Sequence, residues 1–175
     1  MVRRPHTLIP VMACVLAACT PTLDWREARP DGSGLTAMFP CKPGGHARKV
    51  ALAGAAVEMS LFACTAGGAT FAVGFADVGD PLRVEPALAE LAAAAAGNVG
   101  AQGTQAIAPL RIVGATPNPQ AGRRTFSGQL VDGQRVQEQV AVFAHGTRVF
   151  QATVVGASLD AEAIDIFFGA LRLPS

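Results

Sequence analysis

The chain has 175 residues, of which 50% are hydrophobic and 15% are charged, and its formal charge at pH 7 is +1. This composition is typical of one compact domain and excludes a largely disordered chain. Because the arginines are scattered apart from two pairs, no strong positive field would attract nucleic acid, and we expect no nucleic-acid partner.

The first residues have the layout of an export signal. Arg3 and Arg4 precede the uncharged run TLIPVMACVLAA at 7–18. This run is too short to cross a bilayer, because a spanning helix needs roughly 20 apolar residues. Pro10 within the run also disfavours a permanent membrane helix. We therefore expect residues 1–18 to be a signal peptide that is removed.

The residues before Cys19 indicate how the signal is removed. An ordinary signal peptidase needs small residues at the first and third positions before the cut, and Leu16 occupies the third. The sequence Leu-Ala-Ala-Cys at 16–19 instead resembles the lipobox of bacterial lipoproteins. The resemblance implies that Cys19 receives a diacylglyceryl group, that signal peptidase II cuts before it, and that the new amine is acylated, for instance with palmitate. The alternatives are a plain secretory signal and an uncleaved hydrophobic segment.

An acylated Cys19 would determine where the protein lies. Two acyl chains anchor a protein stably, whereas one binds only marginally, so we expect a membrane lipid leaflet as partner. Cleavage removes two arginines and leaves 12 basic and 13 acidic residues, a formal charge of −1. Thr20 is not the aspartate that retains many lipoproteins in the inner membrane, so the resemblance implies the outer membrane, facing the periplasm. Residues 19–34 are expected to be the lipidated cysteine and a polar tether, with Trp25 packed on a globular domain at 35–175.

Cys41 and Cys64 are the two cysteines that remain after cleavage and lipidation. In an oxidising compartment such a pair is expected to form a disulfide. A predicted hairpin of strands 46–53 and 56–64 brings Cys64 opposite about His46, a few residues from Cys41. The alternatives are two free buried thiols, or a metal site with His46 and His145. No CxxC or HxxxH spacing supports the metal site, and we expect no cofactor.

The remaining pattern predicts further strands and two helices. Pro86 suits the first turn of a helix over 86–97, and its apolar stripe is rich in alanine. Asp132-Gly133 and His145-Gly146 indicate the turns of a three-stranded meander. The predicted strands are 35–39, 69–78, 110–115, 124–131, 134–144 and 147–155, and a second helix is predicted over 159–171.

Two-residue turns in the meander predict which side chains share a face. One face would carry Val131, Val136, Val140, Val142 and Val149, and the other Phe126, Leu130, Phe143, Phe150 and Val154. Neither face is polar, so both need a cover. The predicted fold is α+β, an α/β sandwich. It has a twisted antiparallel sheet of about six to eight strands, with one helix on each face.

Three features resemble the PsbP/DcrB-like proteins of the bacterial envelope. They are Phe-Pro-Cys-Lys-Pro at 39–43, a central helix followed by a three-stranded meander, and a closing helix that runs into Phe-x-x-Leu-Arg-Leu at 168–173. The resemblance covers most of residues 35–173 and implies an α/β sandwich. That fold has no shared catalytic apparatus, so the resemblance implies no activity.

The sequence contains no convergent catalytic motif. No serine lies in a Gly-x-Ser-x-Gly context. His46 and His145 are expected in a surface loop and an exposed turn, and the acids at 160–165 are expected to cap a helix. Arg123 and Arg124 are expected to be a solvated pair in a loop, with anion binding as the alternative. We therefore expect no catalytic, cofactor-binding or metal-binding residue.

These observations leave three hypotheses for the function. The first is a non-catalytic, lipid-anchored lipoprotein facing the periplasm that binds or scaffolds an unknown envelope protein. The second is a carrier of a small apolar ligand between the sheet and the alanine-rich helix, and the third is an enzyme. A well-filled core would argue against the carrier, whereas a deep cavity with a perturbed acid or His145 would favour the enzyme.

Overall fold

A computed structural model describes residues 22–101 and 106–174. The predicted signal peptide, residues 1–18, and Cys19 lie outside the described residues. The strands are β1 (Arg26–Ala28), β2 (Ala37–Phe39), β3 (Gly44–Leu52), β4 (Ala55–Ala66), β5 (Ala69–Asp77), β6 (Gly122–Gln129), β7 (Arg135–His145) and β8 (Arg148–Gly156). The helices are α1 (Val84–Asn98), which follows a 3-10 turn at Pro81–Arg83, and α2 (Ala161–Gly169). Within the described ranges, no helix is both long enough and apolar enough to cross a membrane.

The fold is α+β, as predicted, and most of it is sheet. Strands β1 and β2 form a small antiparallel pair. The other six form one antiparallel sheet in the order β3-β4-β5-β8-β7-β6. After β5 the chain passes through α1 and the segment before Gly122, and then joins the far edge of the sheet as β6. The central strands β5 and β8 are therefore flanked by two hairpin-linked halves.

Each face of the large sheet is covered by one helix, which confirms the predicted arrangement. The side chains of Leu88 and Leu91 on α1 pack with Val140 and Val149 of the sheet. Helix α2 lies on the opposite face, in the core that contains the phenylalanines of the sheet other than Phe126. Of the two N-cap candidates in the sequence, Ser158 and Asp160, it is Asp160 that caps α2, since its carboxylate accepts a hydrogen bond of 2.7 Å from the Ala163 N–H. Two apolar cores therefore lie on either side of one sheet.

The predicted facing of the β6–β7 hairpin is wrong by one residue. The loop has five residues, 130–134, because the Asp132 side chain accepts from the Gln134 N–H and builds a longer turn than Asp-Gly alone. Phe126 consequently pairs with Glu138 and faces α1. Leu130 also joins the α1 side, and Val131 is exposed in the loop. Because the side-chain period of a strand is two, this slip moves each of these residues away from its predicted face.

The β7–β8 turn moves by one residue, which shifts the pairing register by two and leaves the predicted faces intact. The turn consists of Gly146–Thr147, and His145 is the last residue of β7. Phe143 pairs with Phe150, and their rings stack at 4.9 Å. An even shift preserves the face of every side chain.

The segment at 22–34 differs from a simple tether. Strand β1 pairs with β2, and the Trp25 ring meets Phe71 edge-on at 6.0 Å, which confirms that Trp25 packs on the domain. Ser33 is buried, and its hydroxyl accepts from the Leu35 N–H. The predicted strand at 110–115 is irregular and makes only an isolated bridge from Val113 to Arg172. The folded body therefore includes the segment that precedes residue 35.

Candidate functional site

A groove of about 530 Å³ lies between α1 and the face of the sheet that it covers. This volume is within the range of small-molecule sites, about 300–1,000 Å³. One wall is the side of α1 that carries Glu90, Ala94 and Asn98. The opposite wall comes from β3 and β4 through Val50, Leu52, Met59 and Leu61, and the floor comes from Ala72, Gly74, Gln151 and Thr153. The groove is therefore largely apolar, with a few polar groups on its floor and rim.

The groove exists because small residues line one face of β5. Strand β5 alternates phenylalanine and valine with Ala72, Gly74 and Ala76. Its large side chains fill the core under α2, and its small side chains face α1. Helix α1 packs over β7 and β8 and leaves the space above β5 unfilled. The alternation that the sequence shows along β5 therefore produces a packed face and a hollow one.

Glu138 is a buried acid in the lining of this groove. Its exposed fraction is 3%, and it is the one carboxylate that is buried among the described residues. Its cross-strand neighbours on the same face are Phe126 and Val155, both apolar. The Oε2 atom has no hydrogen-bond partner in the described part of the chain. Burial of this carboxyl raises its pKa from 4.5 to about 7, because the charged form loses its hydration.

Charged side chains at the rim of the groove are exposed and come from two elements. His46 and Arg48 project from β3, and Glu90 projects from α1. The Glu90 carboxylate accepts a hydrogen bond of 2.8 Å from the Ala53 N–H and so ties α1 to the β3–β4 turn. The carboxyl group of Glu138 is thus buried, whereas the side chains at the rim are exposed to solvent.

The predicted disulfide between Cys41 and Cys64 is present, with the two Cα atoms 6.0 Å apart. The hairpin register differs slightly from the prediction, because His46 pairs with Leu61 and Ala63 is the partner of Gly44. The bond links the segment after β2 to β4. Among the described residues, no group of three or more acids, histidines or cysteines is placed to hold a metal ion.

The two histidines lie at different places from those expected. His46 is in β3 and not in a loop, and it lines the rim of the groove. His145 is half-buried at the end of β7, where its Nδ1–H donates to the Gly114 carbonyl oxygen at 2.7 Å. It therefore holds the segment before β6 against the sheet and is not part of the groove lining.

The prediction of a solvated arginine pair in a loop is also wrong. Both arginines belong to β6, and successive residues of a strand point to opposite faces. Arg123 stacks over the Phe168 ring at 5.5 Å. Arg124 is buried, and its Nη2 donates to the Gln120 carbonyl oxygen at 3.1 Å, which leaves Nη1 without a partner among the described residues. Burial lowers the pKa of Arg124.

Sequence reasoning missed Glu138, although the pattern of β7 contained a signal. Glu138 occupies an alternate position between Val136 and Val140, in a series that was assigned to a buried face. A carboxylate in such a series is either exposed by a register change or buried without its hydration. Only the structure shows that the second case applies here.

The groove contains one of the features that would favour an enzyme, an acid with a raised pKa, but not a set of groups that work together. A hydrolytic centre needs a nucleophile, a base and a group that orients the base. The described lining has no serine or cysteine, and Glu138 makes no hydrogen bond through Oε2. What the arrangement can do chemically is hold an apolar molecule and present one carboxyl group to it.

Comparison with known proteins adds no family to this description. No family model, no curated protein and no solved structure matches the chain.

Proposed function

We propose that this chain is a lipid-anchored, non-catalytic protein of the cell envelope that binds a small apolar ligand in the groove beside α1. The observation that carries the proposal is the groove itself, which has small residues on its floor and one buried carboxyl group, that of Glu138, in its lining. Of the roles that the sequence leaves open, a hollow space under a helix favours ligand binding over a purely scaffolding role, since a scaffold needs no cavity. The lipid anchor at Cys19 is proposed from the lipobox resemblance.

The position of the N-terminal segment supports a link between the anchor and the groove. Leu23 lies over Gly67 in the β4–β5 turn. Cys19 is three residues before Thr22, and three residues span at most about 11 Å. Acylated Cys19 would therefore hold this turn close to a lipid surface. The groove reaches the same end of the sheet on the α1 face, because Val155 lines it and pairs with Thr70 near that turn, whereas Leu23 packs on the α2 face.

Filling the groove tests the ligand-binding function. Ala94 is exposed on α1 and lines the groove, whereas its neighbour Ala93 is exposed on the same helix outside the groove. We expect Ala94→Leu to abolish the binding of a fluorescent probe that carries an alkyl chain, and Ala93→Leu to leave that binding unchanged. Equal binding by both variants would contradict the proposal, provided that both unfold at the same temperature.

Substitution of Cys19 tests the anchor. We expect mass spectrometry to find a mature chain that begins at acylated Cys19, and Cys19→Ser to remove the acyl groups. If Cys19→Ser stays as firmly in the membrane fraction as the native protein, or if the native protein leaves membranes without detergent, the anchor is refuted. This outcome would not affect the groove.

A further inference from the structure

We propose that the ligand of the groove is an amphiphile with a positively charged amine, whose alkyl chain lies along the groove while its ammonium group pairs with the Glu138 carboxylate. This inference rests on the proposed ligand-binding function and names its ligand class. It starts from the contrast between the apolar groove walls and the single acid at the floor. Glu138 is 3% exposed and lines the groove, and its buried Oε2 atom has no hydrogen-bond partner among the described residues.

The charges around Glu138 do not satisfy it within the described chain. None of the ion pairs there includes this carboxylate. Arg124 lies on the same face of the sheet, across the diagonal from Glu138. Its Nη2 donates to Gln120 and its Nη1 has no partner, yet no ion pair joins it to Glu138 among the described residues. Gln120 precedes β6, so this bond points away from Phe126, the partner of Glu138. The other charged groups of the lining are His46 and Arg48 on β3 and Glu90 on α1.

An ammonium group is the ligand chemistry that this environment lacks. A buried carboxylate without a partner loses its hydration and gains nothing in return, so a cation that reaches it recovers a charge-assisted hydrogen bond. A carboxylate head group would be repelled by Glu138 and would be left with Arg48, which is exposed and already hydrated. A neutral alcohol would fill the same apolar space and gain a weaker hydrogen bond. The preference expected is therefore amine over alcohol over carboxylate.

The protonation of Glu138 makes this preference depend on pH in a defined direction. In the unliganded protein the pKa of Glu138 is raised to about 7 by burial. At pH 8.5 the carboxylate is already ionised, whereas at pH 5.5 it must lose a proton before it can pair. An alkylamine remains protonated at both values, since an ammonium of this kind has a pKa of about 10.4 in lysine. Amine binding should therefore be tighter at pH 8.5 by about tenfold or more.

Titration calorimetry with three probes of equal chain length tests the inference. The protein is the full chain with Cys19→Ser, and the probes are decylamine, decanol and decanoate below their micelle concentrations. We expect decylamine to bind tightest at pH 8.5, and Glu138→Gln to weaken it by about tenfold or more while decanol binding is unchanged. The matched control is Glu58→Gln, which removes an exposed carboxylate of β4 outside the groove. This control should leave all three affinities unaltered.

The possible failures are distinguishable. If decanol and decylamine bind equally, or if Glu138→Gln does not weaken decylamine, the amine inference is overturned and the groove function stands. If decanoate binds tightest and Arg48→Gln abolishes its binding, the head group lies at the rim and the inference is also overturned. If no probe binds, both proposals fail. To separate the rim from Glu138, the pH dependence is measured in two variants. It should persist in His46→Gln and disappear in Glu138→Gln, and the reverse result refutes the role of Glu138.

Discussion

Replacement of Glu138 by glutamine should stabilise the unliganded protein, and the gain should depend on pH. Glutamine has the shape of a protonated carboxyl group but never ionises. The raised pKa of Glu138 means that the folded state binds more protons than the unfolded state between pH 4.5 and about 7. The stability of the native protein therefore falls as the pH rises through this window, and the loss is complete above it. The shift from 4.5 to about 7 corresponds to about 3 kcal/mol.

Urea denaturation can measure this difference, with Trp25, the single tryptophan, as the fluorescence probe. At pH 8 we expect the unfolding free energy of Glu138→Gln to exceed that of the native protein by about 3 kcal/mol, and at pH 4 we expect the two to agree. Glu58→Gln should change the unfolding free energy by less than about 0.5 kcal/mol at either pH. A gain that is the same at both values, or a loss of stability at pH 8, would show that Glu138 is not an unpartnered buried acid.

Three further pairs of substitutions test the fold. Cys41→Ala with Cys64→Ala should lower the unfolding free energy by about 3 kcal/mol, because the disulfide closes a loop between residues 23 positions apart; an unchanged urea midpoint after reduction of the native protein would contradict this. Gly128→Ala should lower the unfolding free energy by about 3 kcal/mol or more, because an added Cβ would lie 1.7 Å from the Val99 carbonyl oxygen. Gly97→Ala should be neutral or stabilising, because nothing lies within 4 Å of its added Cβ. Similar melting temperatures for the two variants would refute the close approach of Gly128 to Val99. In chemical denaturation, Phe126→Ala should lower the unfolding free energy by about 3–5 kcal/mol, and Val131→Ala should leave it almost unchanged. The opposite order would favour the two-residue turn that the sequence predicts.

The existence of the groove depends on how α1 packs across the sheet, and no local sequence pattern shows this. The alternation of large and small residues on β5 was evident in the sequence, but whether the small face is packed or hollow depends on where α1 crosses the sheet. Glu138 shares a face with Val136 and Val140 whatever the length of the β6–β7 loop, but its burial beside a groove depends on where α1 crosses that face. His145 likewise changed from an exposed turn residue to a half-buried hydrogen-bond donor, since the segment that it contacts is 31 positions away in the chain.

Local patterns by themselves predicted a helix over 86–97, which the structure has at Val84–Asn98. They also predicted a cap at Ser158 or Asp160, the meander strands and the need for a cover on both faces, because propensity, capping and side-chain period act over a few residues. The resemblance of residues 16–19 to a lipobox is likewise read from a purely local pattern. The tertiary structure decided what depends on contacts between distant segments: the incorporation of residues 22–34 into the folded body, the burial of Arg124, and the groove with its dry acid. A side chain becomes buried and loses its hydration only when distant elements pack against each other, so these properties depend on the tertiary structure.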